Sequence, residues 1–344
     1  MANTTSSTMR AWMQSARGSI FEKAVLADIP LPGEPTGSDI LVKISHAALN
    51  PVDLELARVI PTFWPFPHNR GISLDFAGRV ERAGPLVPPE LGPGVSVCAA
   101  LGVAQVWAGK GALAEYIVVP CNLVAVTPQS LTSAVAAGLG ITGQTVALMM
   151  REAKVKSGDR VLVNGASGGV GSLLVQVLKG KGAHVTGICS AANFPLVQRL
   201  GADEVVDYTS APVAEQLAGV EQNFDYIFDT MRNQALFEGS PAYLKPSGLY
   251  LNIGSRGSSF WQMRLLDLKN DWLPVFLGGT PRKWKTLAHR PSGDFQRMVT
   301  DWVNAGLITD VPIDSEVPMA EALKGFERLE TRHAKGKVII RIQD

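Results

Sequence analysis

The spacing of apolar residues changes twice along the chain. Up to about residue 130, short apolar runs alternate with Pro- and Gly-rich turns. Met9–Met13, Ile40–Ile44, Phe76–Val80, Val95–Cys98 and Tyr116–Val119 read as strands, with turns at Pro30–Gly37 and Pro88–Gly94. This pattern predicts an antiparallel, barrel-like domain. From about residue 132, apolar runs at Arg160–Asn164, His184–Cys189, Glu204–Asp207, Tyr226–Asp229 and Gly248–Ile253 alternate with helical patterns over Val170–Lys181, Phe194–Leu200 and Ala211–Leu217. Strands apolar on both faces, joined by helices, predict a parallel, doubly wound sheet and an α/β fold class. After about Gly278 the texture reverts, with amphipathic helices at Phe295–Ala305 and Met319–Glu330 and a closing strand at Lys337–Ile342. That last strand is expected to rejoin the first domain. The predicted division is 1–132 with 279–344, and 133–278 inserted between them.

Composition narrows the function classes. The chain has 344 residues, and 32 Lys+Arg against 31 Asp+Glu leave a net charge of +1. It therefore lacks the basic field of a nucleic-acid binder. Cys98, Cys121 and Cys189 lie far apart with no CxxC, so neither a disulfide framework nor a four-cysteine zinc knot is available. A reducing compartment is the simplest setting. The most apolar stretch, Ala134–Met150, is interrupted by Gly138, Gly140, Thr142, Gly143 and Gln144 and is short for a membrane span. The Ser/Thr-rich start has no acid before Glu22, as in a transit peptide, yet a strand beginning at Met9 leaves only a short tail. An unprocessed cytoplasmic protein is expected.

The strongest chemical motif lies within Val161–Ser190. An apolar strand runs into Gly165-Ala166-Ser167-Gly168-Gly169-Val170-Gly171 and then a helix. Ala166-x-Gly168-x-x-Gly171 fits the dinucleotide fingerprint, in which small residues allow a tight turn, close approach of a pyrophosphate and close helix–sheet packing. The free N–H groups and dipole of the helix start complete the phosphate site. A ligand-free strand–helix turn is the plain alternative, but the flanking strand, helix and second strand favour the dinucleotide. The second strand ends in Cys189-Ser190-Ala191-Ala192-Asn193, without the acid that binds an NAD ribose. Ser190 and Asn193 can donate to a 2′-phosphate, which favours NADPH. The balancing cation must come from elsewhere, with Arg332 and Arg199 as candidates.

These segments, with others, resemble the medium-chain dehydrogenase/reductase superfamily in its zinc-independent quinone oxidoreductase and enoyl reductase branch. Ala48–Asp53 is similar to an "LNPxD" segment, Gly71–Gly78 to "GxDxAG", Gly111–Val119 to "GxxAEYxxV", and Gly201–Tyr208 to "LGADxVIDY". The resemblance runs nearly end to end. It implies a GroES-like β-barrel domain with an inserted Rossmann domain, an active site in the cleft between, and hydride transfer from NADPH to an electron-poor C=C bond or a quinone. It further implies that Thr142 lies near the nicotinamide or pyrophosphate, Tyr208 near the adenosine phosphate, Gly254 and Ser255 beside the nicotinamide, and Arg332 on a phosphate. A homodimer joined through the exposed sheet edge near Gly248–Ile253 is also implied. Zinc members carry a Cys where Asn50 stands and Gly-His-Glu where this chain has Ser73-Leu74-Asp75, and leucine cannot ligate zinc. The structural-zinc lobe needs four cysteines near 98–111, where only Cys98 is present. No metal is expected. Two departures stand out: Asp229-Thr230-Met231-Arg232 replaces Asp-x-x-Gly and can reshape the cofactor or substrate edge, and Leu54–Arg58 lacks the tyrosine proton donor of mitochondrial enoyl reductases.

The expected catalytic residues are Asn50, Glu55 and His68. Asn50 can polarise the acceptor through its amide, or hold loop geometry. Glu55 can be a raised-pKa acid in a cleft, or a solvated glutamate. His68, in the Trp64–His68 loop, can reach substrate or simply be exposed. Asp53 reads as a turn or cap residue, His46 as structural and Tyr116 as core. Phe63–Phe66 and Phe260–Trp284 are candidate walls for a hydrophobic small molecule. The expected activity is an NADPH-dependent reductase of an enone, enoyl group or quinone. The alternatives are a pathway enzyme on the same scaffold (a trans-acting enoyl reductase, or a non-redox dehydratase or cyclase), a redox-silent NADPH-binding protein, and an alcohol or ketone dehydrogenase, against which Leu74 argues.

Overall fold

The structure, a computed structural model, describes residues 8–218, 224–253 and 260–343. The chain divides into two compact units: 1–144 with 290–305 and 311–344, and 145–289 with 306–310.

In the second unit, six parallel strands lie in the order Glu204–Asp207, His184–Cys189, Arg160–Asn164, Phe224–Asp229, Leu244–Asn252, Lys283–Thr286. Numbered along the chain this is 3-2-1-4-5-6, the doubly wound order, and its direction reverses between Arg160–Asn164 and Phe224–Asp229. Ligands bind at the carboxyl ends of strands at such a reversal. Leu162, Ile188, Ile227, Phe237, Tyr250 and Trp284 fill one side of the sheet. Helix Gly169–Gly180 packs a nearly all-apolar surface, Leu173 to Leu178, into the interior.

The first unit is an antiparallel barrel-like assembly. Asp39–Leu49 is its central strand, paired with Asp75–Ala83, Tyr116–Pro120 and the closing strand Lys337–Arg341. A smaller sheet joins Ala24–Pro30, Thr8–Gln14 and Arg70–Gly71. Phe76, Ile40, Ile44, Leu49 and Phe326 are fully buried in its core.

Four expectations shift. The first boundary lies at 144 rather than 132, because Ala134, Ala136 and Ala137 of helix Ser133–Ala137 pack on Ala48, Ala77 and Ile339 of the barrel. The second lies at 289 rather than 278, because Lys283–Thr286 adds a sixth strand to the parallel sheet. That strand, not the one near Gly248–Ile253, is the sheet edge; Leu244–Asn252 is paired on both sides. Tyr116 is half-buried rather than core.

Candidate active site

The cofactor loop is built by steric exclusion. Gly165 has φ 83, the left-handed region that favours glycine. A Cβ there would come within 2.4 Å of Thr230 Oγ1 and 3.0 Å of Met231 Cγ. A Cβ on Gly171 would lie 2.1 Å from the Gly165 carbonyl oxygen, so the helix can approach its own loop only as glycine. Gly165 and Ala166 donate their N–H groups to Ile188 O at 3.2 and 3.0 Å, which ties the loop to the neighbouring strand. Ser167, Gly168, Gly169 and Val170 are half-buried. They stand at the start of helix Gly169–Gly180, where the first N–H groups have no intrahelical acceptor.

Ser190 and Asn193, expected at the 2′-phosphate, come together with Ser167 of the loop. Asn193 Nδ2 donates to Ser167 Oγ at 3.1 Å and Ser190 Oγ at 3.2 Å. Both hydroxyls accept from Asn193 and keep their own protons to donate. The Asn193 Oδ1 atom is buried without a partner among the described residues. Tyr208 follows the third strand and is 48% exposed. The nearby Asp207 is already engaged: its Oδ1 accepts from Thr209 N, Thr209 Oγ1 and Ala191 N, and these bonds hold its pKa below the usual carboxylate value. Arg199 is exposed and pairs with Asp310 at 3.0 Å. Gly254 and Ser255 lie outside the described residues.

Loop Asp229–Asn233 borders the same edge. Asp229 is fully buried and accepts from Asn164 Nδ2, Tyr250 OH, Met231 N and Asn233 N at 2.6–2.8 Å. Met231 lies against Gly165 of the loop. Arg232 instead turns inward and pairs with Asp267 at 2.6 Å.

The barrel unit holds a different kind of polar cluster. Asn50 precedes helix Pro51–Val59, and Asp53 reaches back to its N–H at 2.8 Å, a helix-start bond like that expected of Asp53. The Asn50 amide donates to Asp75 Oδ2 at 2.8 Å and accepts from Lys337 Nζ at 2.6 Å, and the residue is 2% exposed. Lys337 also donates to Leu49 O at 3.0 Å and Asp75 Oδ2 at 3.4 Å, and Asp75 Oδ1 accepts the N–H of Ile141 at 2.8 Å. The Asn50 amide is thus bound on both sides within the buried cluster. Burial raises the pKa of Asp75 and lowers that of Lys337, and the attraction between the two opposes both shifts. Burial pushes Asp53 up to about 8. Arg70, also buried, donates to Gln14 Oε1 and to Leu56 O near the end of the same helix. Sequence reasoning did not single out Lys337, Asp75 or Arg70. The available signal was a lone cation beside the apolar run Val338–Ile340.

The remaining expected residues do not join this cluster. Glu55 is half-buried and His68 exposed. Phe66 packs on Trp107 with ring centroids 4.8 Å apart, and Phe63 and Trp64 are exposed. Thr142 is buried and donates to Gly138 O at 2.6 Å. Arg332 is exposed, with φ 59, in the turn before the closing strand. A groove of about 390 Å³ within the barrel unit is lined by Met9, Met13, Ile29 and Tyr116 and includes none of the expected catalytic residues.

Comparison with known proteins places this geometry. The alcohol dehydrogenase GroES-like domain matches residues 36–129, and the zinc-binding dehydrogenase domain matches 200–340. The medium chain reductase pydE of Acremonium sp. is 35% identical, covering 98% of this chain and 100% of that protein. This chain belongs to the medium-chain dehydrogenase/reductase superfamily. Within that superfamily it falls in the quinone oxidoreductase and enoyl reductase branch and is an oxidoreductase. The trans-enoyl reductase pgmF of Aspergillus terreus is 32% identical over 100% of this chain and 99% of its own length. The quinone oxidoreductase of Coxiella burnetii has the same fold, with a TM-score of 0.80, 22% identity and coverage of 98% of this chain and 100% of that one. The superfamily's architecture, a GroES-like domain and a parallel Rossmann-type sheet, is the one described above. The matched zinc-binding dehydrogenase stretch contains neither position 50 nor 73–75. In this superfamily member Asn50 and Leu74 stand at those positions, and Leu74 is buried in the barrel core.

Proposed function

We propose that the protein is an NADPH-dependent reductase of an electron-poor C=C bond, acting on an enoyl group presented by a hydrophobic small molecule. The cluster of Ser167, Ser190 and Asn193, with no acid at the end of its strand, carries the choice of NADPH over NADH. The residues fit the cofactor: a glycine cradle that a Cβ would fill, free helix N–H groups, and the Ser167 and Ser190 hydroxyls, which accept from Asn193 and keep their protons to donate. Bound there, NADPH supplies the hydride.

The chain's own residues bind and orient. The N–H groups of Gly169, Val170 and Gly171 face a pyrophosphate, with Gly165, Ala166 and Gly168 shaping its approach. Ser190 donates its hydroxyl to the 2′-phosphate, oriented by the Asn193 amide, with Tyr208 beside the adenosine and Arg332 supplying positive charge. Thr142 is assigned to the nicotinamide. Asn50 keeps the Pro51 helix start and Asp75 in register. Glu55 and His68 are the groups proposed to deliver the proton that completes reduction, since Leu54–Arg58 has no tyrosine.

The enoyl preference rests on the trans-enoyl reductases among the relatives; a quinone acceptor is the second reading, favoured by the structural likeness to quinone oxidoreductases. Among the described residues the strand Lys283–Thr286 is paired on one side only, and this is the edge through which the proposed homodimer would join. The three thiols are buried and unpaired, in keeping with the cytoplasm. Among the described residues, no helix is long and apolar enough to cross a membrane. The test is NADPH oxidation with 2-enoyl thioesters, enones and quinones. Turnover fastest with the thioesters supports the proposal. Tight NADPH binding without oxidation of any acceptor would point to a redox-silent or non-redox role.

A further inference from the structure

The loop after strand Phe224–Asp229 contains a device that goes beyond cofactor binding. Arg232 has φ 52, where glycine sits without strain and a side chain does not. Asp229 holds the backbone on either side by accepting Met231 N and Asn233 N. The Arg232 side chain is 6% exposed; Nη2 donates to Asp267 Oδ1 at 2.6 Å, and Thr286 Oγ1 donates to the same oxygen at 2.8 Å. One helical turn further on, Asn270 exchanges amide bonds with Gln234 in both directions at 3.0 Å.

Asp267 and Asn270 share one face of helix Phe260–Trp272 and are buried, although both are polar. Leu265, Leu268 and Trp272 of this helix are exposed, Trp272 by 79%, while Leu266 beside Asp267 is half-buried. The ion pair and the amide pair tie its polar positions Asp267 and Asn270 inward. Both act where Asp229, Asn252 and Thr286 end their strands, the ligand-binding edge of an open parallel sheet. Met231, next to Arg232, lies against Gly165 of the phosphate loop.

We propose that Arg232 is a positioning residue: through Asp267 it latches helix Phe260–Trp272 in one orientation at the cofactor edge and thereby aligns the acceptor for hydride transfer. The affinity for NADPH resides in the phosphate loop, and the alignment in the latch. The alignment rests on the reductase reading above; the latch itself does not.

The test compares R232G, R232K and wild type for NADPH affinity, kcat and KM with an enone, the isotope effect from NADPH deuterated at the transferring position, and hydrogen exchange of residues 260–272. We expect R232G to bind NADPH within about twofold of wild type while kcat falls about tenfold to a hundredfold, because small misplacements of reacting atoms are costly in rate. Its isotope effect should rise, residues 260–272 should lose protection, and R232K, which keeps the cation, should recover most of the rate. Wild-type kcat and isotope effect in R232G, with only a lowered Tm, would reduce Arg232 to a structural residue and overturn the proposal. Loss of NADPH affinity in proportion to kcat would also overturn it, by making Arg232 a cofactor ligand. If R232G does not fold, D267N takes its place in every readout. If wild type reduces no acceptor, the reductase reading falls and with it the alignment role; the exchange data then decide the latch, with unchanged protection of 260–272 overturning it.

Discussion

The phosphate loop and the buried cluster of the barrel are both assembled from a few polar side chains, and they differ in what those side chains leave unsatisfied. Around the loop, Ser167, Ser190 and Asn193 are half-buried, their hydroxyl protons are unspent, and Asn193 Oδ1 has no partner among the described residues. In the barrel, Asn50, Asp75 and Lys337 are buried and bond one another. Accessible groups with spare hydrogen-bonding capacity face a ligand; enclosed groups that satisfy one another hold architecture. By this contrast Asn50, whose amide is bound on both sides, stands with the enclosed cluster rather than with the loop.

The comparison breaks most visibly at Lys337. Lys337→Met should leave Asp75 buried without its cation and destabilise the protein by about 3–5 kcal/mol. Denaturant unfolding measures this, and Lys337→Met with Asp75→Asn should recover much of the loss. If the single variant is as stable as wild type, the cluster is not structural.

The next largest effect belongs to the loop. Ser190→Asp places a carboxylate where a 2′-phosphate is proposed to bind. It should weaken NADPH by about a hundredfold, roughly 2.7 kcal/mol, while NADH binding holds or improves. Equal losses for both cofactors would show that the loop does not read the 2′ position.

Asp53 sharpens the contrast within the barrel, since its Oδ1 is the cluster's atom without a hydrogen-bond partner among the described residues. Burial pushes its pKa up to about 8, against 3.8 for an ordinary aspartate. The folded state therefore holds a proton that the unfolded state releases. The stability this contributes is complete below about pH 4 and is lost as pH rises towards 8, by up to about 1.4 kcal/mol per pH unit. Asp53→Asn should flatten that part of the pH–stability profile; an unchanged slope would place the titration elsewhere.

The smallest effect is at Asn193. Asn193→Ala removes the amide that holds both serine hydroxyls and should cost NADPH binding about 1 kcal/mol, with a smaller loss for NADH. Titration of nicotinamide fluorescence resolves the two.

Legibility in the sequence follows the same divide. Strands Arg160–Asn164, His184–Cys189 and Glu204–Asp207 were readable to the residue, because parallel strands covered on both faces carry apolar runs between clear helix patterns. Lys283–Thr286 was not, since at the sheet edge only Trp284 is buried and the rest reads as a polar turn. Helix Pro51–Val59 was hidden by its short, mixed pattern, although its proline start and Asp53 cap were visible. Gly165 and Gly171 were legible because each excludes a Cβ for a local reason. The Lys337–Asp75 and Arg232–Asp267 pairs join residues 262 and 35 positions apart, and no local spacing encodes such contacts.

The central claim is tested most directly by following NADPH and NADH oxidation by the pure protein with a 2-enoyl thioester as acceptor. The account predicts oxidation that saturates with NADPH and is much weaker with NADH. Oxidation of neither cofactor, or of NADH in preference, would contradict it.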